Sequence, residues 1–387
     1  MQGQRDLYPS FLQFLLKVKI AFLTSHVLDD VNQWSGTSYY MYKSLSQLHS
    51  VIPIGSGLVN QLQSFSLDNF ASSKDLDRYV WLLGKLYSER IRSIPNLDCV
   101  IFGNLYTDAF MEREVPYIHL SDTNFHMNST ILHYGSEFSL RKEKIERIAL
   151  HKYNSIIYSS TWAKRNTIDY YGIDSHKIHV VELGANIPPP KDFKLESSMD
   201  ICNLVFIGRN WKEKGGQKVL DAYKLLKYSN FPCTLTCIGT IPPHFDASDK
   251  SLRIYPFLDK SIPEHLSLLC SILRESHFLI LPTEFDAYGI VFCEASAYGC
   301  PSLATDVGGV CQPVKEGKNG FLFPKNTKSE DYAEKIRYLW SNPTEYQQLR
   351  ATSRYEYETR LNWDIWSKKV TKIFEQTVEQ YKNEQKS

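Results

Sequence analysis

The chain has 387 residues, enough for two or three domains that each bury a core of their own. Its 44 Lys and Arg residues balance 43 Asp and Glu residues, and the formal net charge of +1 argues against a general nucleic-acid binder. Hydrophobic residues make up 43% of the chain and aromatic residues 13%, which excludes a disordered, solvating chain. The composition therefore predicts a folded protein with no nucleic acid among its partners.

The cysteines and the apolar segments bear on the cellular compartment. No two of the eight Cys residues form a C-x-x-C pair, and several lie in apolar runs, which predicts buried, reduced thiols. No apolar run reaches the ~18 residues that span a bilayer, so we expect a cytoplasmic protein. The segment from Leu7 to Lys19 contains Leu, Phe and two Lys and could contact the inner membrane face, although an extra packed helix or a disordered end is the simpler interpretation.

The first half of the chain alternates apolar runs with segments of helical periodicity, which is typical of a parallel α/β sheet. The centre of the first predicted strand, residues 19–25, is free of polar residues, as in a strand that is covered on both faces. Helices are predicted at 38–49 and 77–94 from the spacing of their apolar positions. Further strands are predicted at 51–54, 99–103, 117–120 and 155–159.

A second series of the same kind begins after a linker that opens with Pro188-Pro189-Pro190. The sequence therefore predicts two doubly wound α/β domains that face each other across a cleft. In such sheets ligands bind beyond the carboxyl ends of the strands, so the loops after strands are the first places to search. The predicted elements are strands at 204–207, 234–238, 278–281 and 301–305, helices at 216–226 and 290–298, and a mostly helical segment over 332–382.

The cations Arg209 and Lys214 and three glycines follow the strand at 204–207, in the segment Gly208-Arg209 to Lys214-Gly215-Gly216. Glycine allows close backbone approach, a helix N-terminus offers free N–H groups, and Arg and Lys neutralise negative charge. This combination is typical of a phosphate site. A solvated loop with chance cations is an equally good interpretation of this segment alone.

Two carboxylates, Asp286 and Glu294, flank a glycine turn after the strand at 278–281. Carboxylates bind vicinal hydroxyls well because each has two acceptor oxygens, so the pair could bind a sugar. Glu294 could instead be only a partner of the helix dipole. Gly308-Gly309 after the next strand could present backbone amides to an anion, and Trp34-Ser35-Gly36-Thr37 forms a similar turn after the first strand.

Together these motifs resemble the retaining glycosyltransferases of the GT-B fold, family 4 (group 1). The resemblance is carried by Arg209 with Lys214-Gly215, the two carboxylates with seven residues between them and the Gly308-Gly309 loop. Flanking segments such as Gly184-Ala-Asn186 and Gly317-Lys-Asn-Gly320 match as well, over roughly residues 17–370. The resemblance implies three parts: an acceptor-binding Rossmann-like domain at 1–190, a donor-binding one at 191–363 and a C-terminal helix, 364–387, that crosses back to the first domain.

The resemblance also implies roles for single residues. Arg209 and Lys214 would bind the diphosphate of a nucleotide-sugar donor, with Gly36 in the glycine loop that faces it, and Glu294 would bind the ribose hydroxyls. Asp286 would be a catalytic residue beside the transferred sugar. The family usually has Glu there, so the shorter side chain could reach different sugar hydroxyls. Backbone groups near the donor sugar and phosphate would come from Tyr288, Gly289 and Ile290.

The first domain would supply one further catalytic side chain, and His119 and Asp122 both remain candidates for it. The implied reaction is transfer of a hexosyl unit, with retained anomeric configuration, to a glycan, lipid-linked or small-molecule hydroxyl. Related enzymes are thought to use front-face attack, which needs neither a metal nor a cofactor. The alternative Asp-x-Asp metal motif occurs once, as Asp75-Leu-Asp77, but it leads into a predicted helix and does not end a strand.

Four other interpretations share parts of this pattern. A nucleotide-sugar epimerase or a phosphorylase would have the same two-domain architecture, and a non-catalytic sugar- or nucleotide-binding protein could keep Arg209, Lys214 and Glu294. The Trp34 turn together with the carboxylate pair favours transfer. A dinucleotide-dependent dehydrogenase is disfavoured because Gly55-Ser-Gly57 is followed by Asn60 where the fingerprint requires a third glycine.

Overall fold

The structure is a computed structural model that describes residues 17–55, 73–103, 107–132, 137–194 and 198–386. Most of the predicted membrane-contact segment, residues 7–16, lies outside the described residues, as do residues 56–60 of the incomplete dinucleotide fingerprint. Within the described ranges, every helix is too short or too polar to cross a bilayer.

The first domain is built on a parallel sheet with the spatial order β2-β1-β3-β4-β5-β6. The sequence predicts the first five strands to within one residue. It misses the sixth, because three residues are too few to show a periodicity. The strands are β1 (Lys19–Thr24), β2 (Ser50–Ile54), β3 (Cys99–Gly103), β4 (Tyr117–Ser121), β5 (Ser155–Tyr158) and β6 (Ile178–Val180).

The second domain has a second parallel sheet, in the order β12-β11-β10-β7-β8-β9. Counted within the domain, this is the Rossmann order 3-2-1-4-5-6 read from its other edge. The sequence misses only the two edge strands, which are four residues long and partly exposed. The strands are β7 (Cys202–Ile207), β8 (Cys233–Ile238), β9 (Leu252–Tyr255), β10 (Phe278–Leu281), β11 (Ser302–Thr305) and β12 (Gly320–Phe323).

Helices connect the strands and pack on both sheets. Together the sheets and helices confirm the predicted fold class of two doubly wound α/β domains. The described α-helices are α1 (Thr37–Leu48), α2 (Ser73–Arg92), α3 (Phe125–Leu132), α4 (Glu137–Lys152), α5 (Thr161–Tyr171), α6 (Gly216–Tyr228), α7 (Pro263–Glu275), α8 (Ile290–Ala297), α9 (Ser329–Trp340), α10 (Pro343–Thr359) and α11 (Trp363–Glu384).

The last helix, α11, packs on the first domain although it follows the second in sequence. The Thr371 hydroxyl lies 2.7 Å from Nε2 of His49, which follows α1. The Thr377 hydroxyl lies 2.7 Å from the Ser155 hydroxyl at the start of β5. These buried hydrogen bonds tie the end of the chain to the first sheet, so the two domains are joined by two chain crossings.

All eight cysteines have free thiols, and six of them are buried in the two cores. Burial disfavours the thiolate, and it raises the pKa of Cys237 in β8 to about 12. The cysteines therefore act as small apolar core residues, as their positions in apolar runs predict.

Candidate functional site

The candidate site lies where the strand order of the second sheet changes direction. β7 and β10 are neighbours in the sheet although two strands separate them in sequence, so the loops after them diverge and leave a crevice. A cleft of about 270 Å³ opens there. Val31, Asn32 and Ser35, from the loop after β1, close its opposite side. Residues of both domains therefore line one cavity.

The cleft brings together most of the site residues that the sequence predicts. Its remaining wall is largely apolar and comes from the ends of β7, β8 and β10 and from the loop after β9. Four predicted residues, Gly36, Tyr288, His119 and Asp122, do not line it. The predicted residues that line it are Arg209, Lys214, Asp286, Gly289, Ile290 and Glu294.

The two predicted phosphate-binding cations lie on the loop between β7 and α6. The exposed guanidinium of Arg209 borders the cleft and lies over the Phe257 ring, 5.1 Å from its centroid. Gly215 precedes α6 with a φ of +71°, and an added Cβ there would lie 2.0 Å from the Pro282 carbonyl oxygen. Glycine is therefore required at this position, because the loop after β7 presses against the loop after β10.

Lys214 and Asp286 form an ion pair across these two loops. Lys214 Nζ lies 2.6 Å from Asp286 Oδ2 and 3.3 Å from the Phe285 carbonyl oxygen. An ammonium group has three donors, and both of these acceptors belong to the loop after β10. The pair therefore holds that loop in place at the edge of the cleft and keeps the Asp286 carboxylate beside the cation.

The N-terminus of α8 points its free backbone amides at the same cleft. Gly289 precedes the helix with a φ of +84°, and Ile290 is its first residue. Tyr288, one residue earlier, is buried, and its hydroxyl donates a 3.1 Å hydrogen bond to the Leu183 carbonyl oxygen. Tyr288 thus anchors the turn to the segment before the linker, while the backbone after it faces the cavity. A helix N-terminus of this kind favours negative charge nearby.

Glu294 lies one turn into α8, where its side chain is only 3% exposed. Its Oε1 accepts a 2.5 Å hydrogen bond from Nζ of Lys260, whose side chain is 16% exposed. The sequence analysis missed Lys260, which also lines the cleft. Nothing in its local sequence distinguishes it from other loop lysines, because its partner is 34 residues further along the chain.

The Gly308-Gly309 turn packs against the loop that carries Asp286, and the expectation that its amides face an anion needs correction for Gly309. The amide of Gly309 donates a 3.0 Å hydrogen bond to the Asp286 carbonyl oxygen. A Cβ on Gly309 would lie 1.9 Å from the Ala287 carbonyl oxygen, and one on Gly308 would lie 2.2 Å from that of Asp286. The two glycines are therefore needed for close packing against the loop that carries Asp286.

On the first-domain side, three successive residues have left-handed backbone conformations. The φ angles are +47° at Trp34, +55° at Ser35 and +94° at Gly36. Left-handed backbone costs roughly 1–2 kcal/mol per non-glycine residue. The side-chain amide of Asn186 donates hydrogen bonds to the Ser35 carbonyl oxygen and to the Thr37 hydroxyl, at 3.0 and 3.1 Å. These bonds hold the strained turn in place, with Ser35 rather than Gly36 at the cleft.

The structure separates the two candidates for the catalytic residue of the first domain. Asp122 follows β4 directly, and its Oδ2 accepts a 3.0 Å hydrogen bond from the Trp34 indole. Burial raises the pKa of Asp122 to about 6; the Trp34 bond lowers it, and the negative charge of Asp286 raises it. The bond joins Asp122 to the turn whose next residue, Ser35, borders the cleft.

His119 lies instead in a separate small cavity between β4 and α4, with Asn124 and Glu146. Its ring stacks on Tyr153 with 4.9 Å between the centroids, and burial lowers its pKa to about 4. Its buried Nδ1 has no hydrogen-bond partner among the described residues. Side chains alternate between the faces of a strand, so a residue three positions before Asp122 points away from it. The geometry therefore does not bring His119 to the cleft.

The Asp-x-Asp segment of the first domain lies at the start of α2. Asp77 is engaged by the guanidinium of Arg141 through two hydrogen bonds, and the side chain of Asp75 is outside the described set. Among the described residues, no group of three or more His, Cys, Asp or Glu side chains is placed to hold a metal ion.

Comparison with known proteins shows which proteins this chain resembles. The family described as "Glycosyl transferases group 1" matches residues 191–356. A D-inositol 3-phosphate glycosyltransferase of Jonesia denitrificans is 25% identical over 287 residues, which are 68% of this chain and 66% of that protein. An uncharacterized glycosyltransferase of Methanocaldococcus jannaschii is 30% identical over 185 residues, 44% of this chain and 47% of that protein. The matches to the first three curated relatives span 58–66% of those proteins' lengths.

Solved structures share the fold over nearly the whole chain. A glycosyltransferase of Rickettsia africae has a TM-score of 0.63 at 18% identity and covers 94% of this chain and 99% of its own. HepE of Anabaena has a TM-score of 0.64 at 14% identity and covers 93% of this chain and 100% of its own. Residues 191–356 therefore match the group 1 glycosyltransferase model, and the chain shares the two-domain GT-B fold of solved glycosyltransferases.

Proposed function

We propose that the protein is a retaining glycosyltransferase that moves a hexosyl unit from a nucleotide-diphosphate sugar to a hydroxyl group of a glycan, lipid-linked or small-molecule acceptor. The observation that carries this proposal is that one cleft combines cations, a helix N-terminus and a carboxylate. Arg209, Lys214 and the first residue of α8 line it, and so does Glu294, one turn into that helix. A nucleoside diphosphate needs both, for its phosphates and its ribose.

The remaining wall of the cleft supports a nucleotide rather than a bare anion. Gly239, Phe257 and Leu258 line it without an ionisable side chain, which suits the face of a nucleobase. The HepE structures of Anabaena are described as complexes with UDP and with UDP-glucose, which makes UDP the first nucleotide to test here. The base itself has no side-chain signature in this cleft.

In the proposed reaction the bond between the anomeric carbon and the diphosphate oxygen breaks while the acceptor oxygen attacks the same face of the sugar. The leaving phosphate oxygen takes the proton of the acceptor hydroxyl. Arg209, Lys214 and the amides of α8 stabilise the negative charge that develops on the diphosphate. Asp286 lies beside Lys214 and would bind hydroxyls of the transferred sugar, and Asp122 would face the same sugar from the first domain.

The reaction is proposed to need no metal, since two cations and a helix N-terminus already meet the phosphates. The acceptor would enter from the first domain, through the side of the cleft that Ser35 borders. A cytoplasmic location and contact with the inner membrane face remain predictions of the sequence.

Nucleotide binding and product stereochemistry test the proposal in two steps. Thermal melting with UDP, GDP and ADP identifies the nucleotide, because a ligand at 100 times its dissociation constant adds about 2.7 kcal/mol of stability. The matching nucleotide sugars are then incubated with candidate acceptors in the presence of EDTA. The anomeric proton of the product, followed by NMR, should show the donor configuration.

Each outcome separates the proposal from its alternatives. A stabilising nucleotide without transfer or hydrolysis of its sugar would favour a non-catalytic binding protein. Epimerised nucleotide sugar would indicate an epimerase. An inverted product, or activity that EDTA abolishes, would contradict the retaining or the metal-independent part of the proposal.

A further inference from the structure

The ion pair of Lys260 and Glu294 is unusual because it lies in the wall of an open cleft and is nevertheless almost completely shielded from water. Nζ of Lys260 lies 2.5 Å from Oε1 of Glu294, and the side chains are 16% and 3% exposed. Burying two charges is costly, and their mutual attraction often does no more than offset that cost. Stability alone therefore explains this pair poorly, whereas a ligand with matching polar groups would explain it.

Each partner keeps unused hydrogen-bonding capacity at the cleft. Only one oxygen of Glu294 accepts from Lys260, and its second oxygen accepts no hydrogen bond from a described residue. The ammonium group of Lys260 has three donors and uses one of them on Glu294. An acceptor oxygen and a cationic donor thus lie side by side in the same wall.

The position of Lys260 is fixed by its neighbours on both sides. Oδ1 of Asp259 accepts hydrogen bonds from the Ser261 amide at 2.8 Å and from the Asn32 side-chain amide, in the first domain, at 2.7 Å. The backbone on either side of Lys260 is therefore held by a local turn and by a bond across the cleft. A side chain held in this way can act as a fixed part of a binding site.

We infer that Lys260 is a second ribose-binding residue, which binds one ribose hydroxyl of the nucleotide donor while Glu294 binds the other. This inference rests on the proposed function. A ribose hydroxyl can donate to the free oxygen of Glu294, and the oxygen of the neighbouring hydroxyl can accept from Lys260. Because the two protein groups also bind each other, the pair presents a donor and an acceptor side by side.

The test compares UDP, 2′-deoxy-UDP and 3′-deoxy-UDP, or the analogues of whichever nucleoside diphosphate stabilises the wild type, by titration calorimetry. The variants are Lys260→Met, Glu294→Gln and the double variant Lys260→Met/Glu294→Gln, which leaves no unpaired buried charge if the first variant folds poorly. Lys318→Met is the matched control, because Lys318 is exposed in the same domain and does not line the cleft.

We expect Lys260→Met to weaken binding of the ribonucleotide about 10-fold or more, as for a lost hydrogen bond to a charged group. Lys260→Met should bind one of the two deoxy analogues as tightly as the ribonucleotide. Glu294→Gln should bind the other deoxy analogue as tightly as the ribonucleotide. The double variant should discriminate at neither position, and Lys318→Met should behave as the wild type.

Five results would overturn the inference. Unchanged binding by Lys260→Met would mean that Lys260 does not bind the ribose. Tighter binding would mean that Lys260 competes with the ribose for Glu294. Loss of discrimination at the same hydroxyl in both single variants would mean that Lys260 only orients Glu294. A double variant that still distinguishes the deoxy analogues would place the ribose elsewhere. A wild type that binds none of UDP, GDP and ADP would refute the proposed function itself and this inference with it, which the melting experiment detects before any variant is made.

Discussion

The indole nitrogen of Trp34 donates a hydrogen bond to Oδ2 of Asp122 across 3.0 Å, although 88 residues separate them in sequence. The bond joins the strained turn after β1 to the end of β4. The His26 ring packs against Trp34, with 5.8 Å between the ring centroids. Trp34 is therefore placed to control both the orientation and the charge of Asp122.

Replacing Trp34 by Phe should raise the pKa of Asp122 above its value of about 6. The indole hydrogen bond stabilises the charged carboxylate, and phenylalanine keeps the ring but has no donor. If Asp122 acts as a carboxylate, the acid limb of the kcat/KM profile should move to higher pH. A pH–rate profile of Trp34→Phe measures this shift, with the exposed Trp81→Phe as control. A profile that matches the wild type would show that Asp122 does not govern the acid limb.

The raised pKa of Asp122 also predicts a pH dependence of stability. Because the folded-state pKa of about 6 lies above the model value of 3.8, the folded state binds the proton more tightly than the unfolded state. The contribution of this pKa difference to the free energy of unfolding is fully present at low pH and is lost as pH rises from about 4 to about 6. Asp122→Asn removes this loss and should be more stable than the wild type at pH 7 by about 1–2 kcal/mol.

Urea unfolding of Asp122→Asn and the wild type at pH 4 and pH 7 checks this expectation. The difference between the two proteins should be larger at pH 7 than at pH 4. An equal difference at both values would mean that the Asp122 carboxylate is not held at a raised pKa.

Replacing Lys214 by Met should weaken binding of a nucleoside diphosphate about 10-fold or more and leave binding of the nucleoside nearly unchanged. The reason is that the ammonium group would be lost from the diphosphate while the ribose and base contacts remain. Titration of Lys214→Met with UDP and with uridine separates the two effects. An equal loss for both ligands would mean that the variant disturbs the loop through its ion pair with Asp286 rather than through a phosphate contact.

Replacing Gly309 by Ala should impair both stability and activity. The added Cβ would lie 1.9 Å from the Ala287 carbonyl oxygen, so the loop that carries Asp286 must move, at a cost of about 1–3 kcal/mol or more. Gly317→Ala is the matched control. Gly317 has a φ of +69° and open space around its Cβ position, so that variant should lose only about 1 kcal/mol and keep its activity. Melting curves and transfer rates that do not distinguish the two variants would contradict the packing argument.

Removing the hydrogen bond between Asn32 and Asp259 should loosen the contact between the domains. Asn32→Ala deletes the cross-domain donor but leaves the turn at Asp259 intact, so the expected loss of stability is about 0.5–1.5 kcal/mol. Small-angle scattering should give a larger radius of gyration for the variant than for the wild type, with a smaller difference at saturating nucleotide. Superimposable scattering curves would show that other contacts hold the domains together.

Sequence patterns predict the two sheets well because strands covered on both faces are almost continuously apolar. β3 and β10 match their predicted bounds, and each is buried along its length. The edge strands β9 and β12 are missed because they are partly exposed, and their side chains carry little periodic signal. The glycine-rich turns at Gly215 and Gly289 are predicted because their positions, after a strand and before a helix, are local in sequence.

The candidate site could be predicted only in part. Arg209, Lys214, Asp286 and Glu294 follow strands that end at one edge of a sheet, so the sequence alone brings them to one cleft. His119 and Asp122 could not be separated in the same way, because a count along a loop does not fix which face of a strand a side chain occupies. Only their surroundings in the structure, a separate cavity for one and the Trp34 indole for the other, distinguish them.

The sequence by itself determined the class of fold and the loops that follow the carboxyl ends of the strands, since local propensity and hydrophobic pattern act over a few residues. The tertiary structure decided which charges meet. Lys260 reaches Glu294, and Asn32 reaches Asp259, across 34 and 227 residues of chain. Such pairs leave no local pattern, because an ion pair or a hydrogen bond depends on distance in space, which is set by how two sheets and their loops pack together.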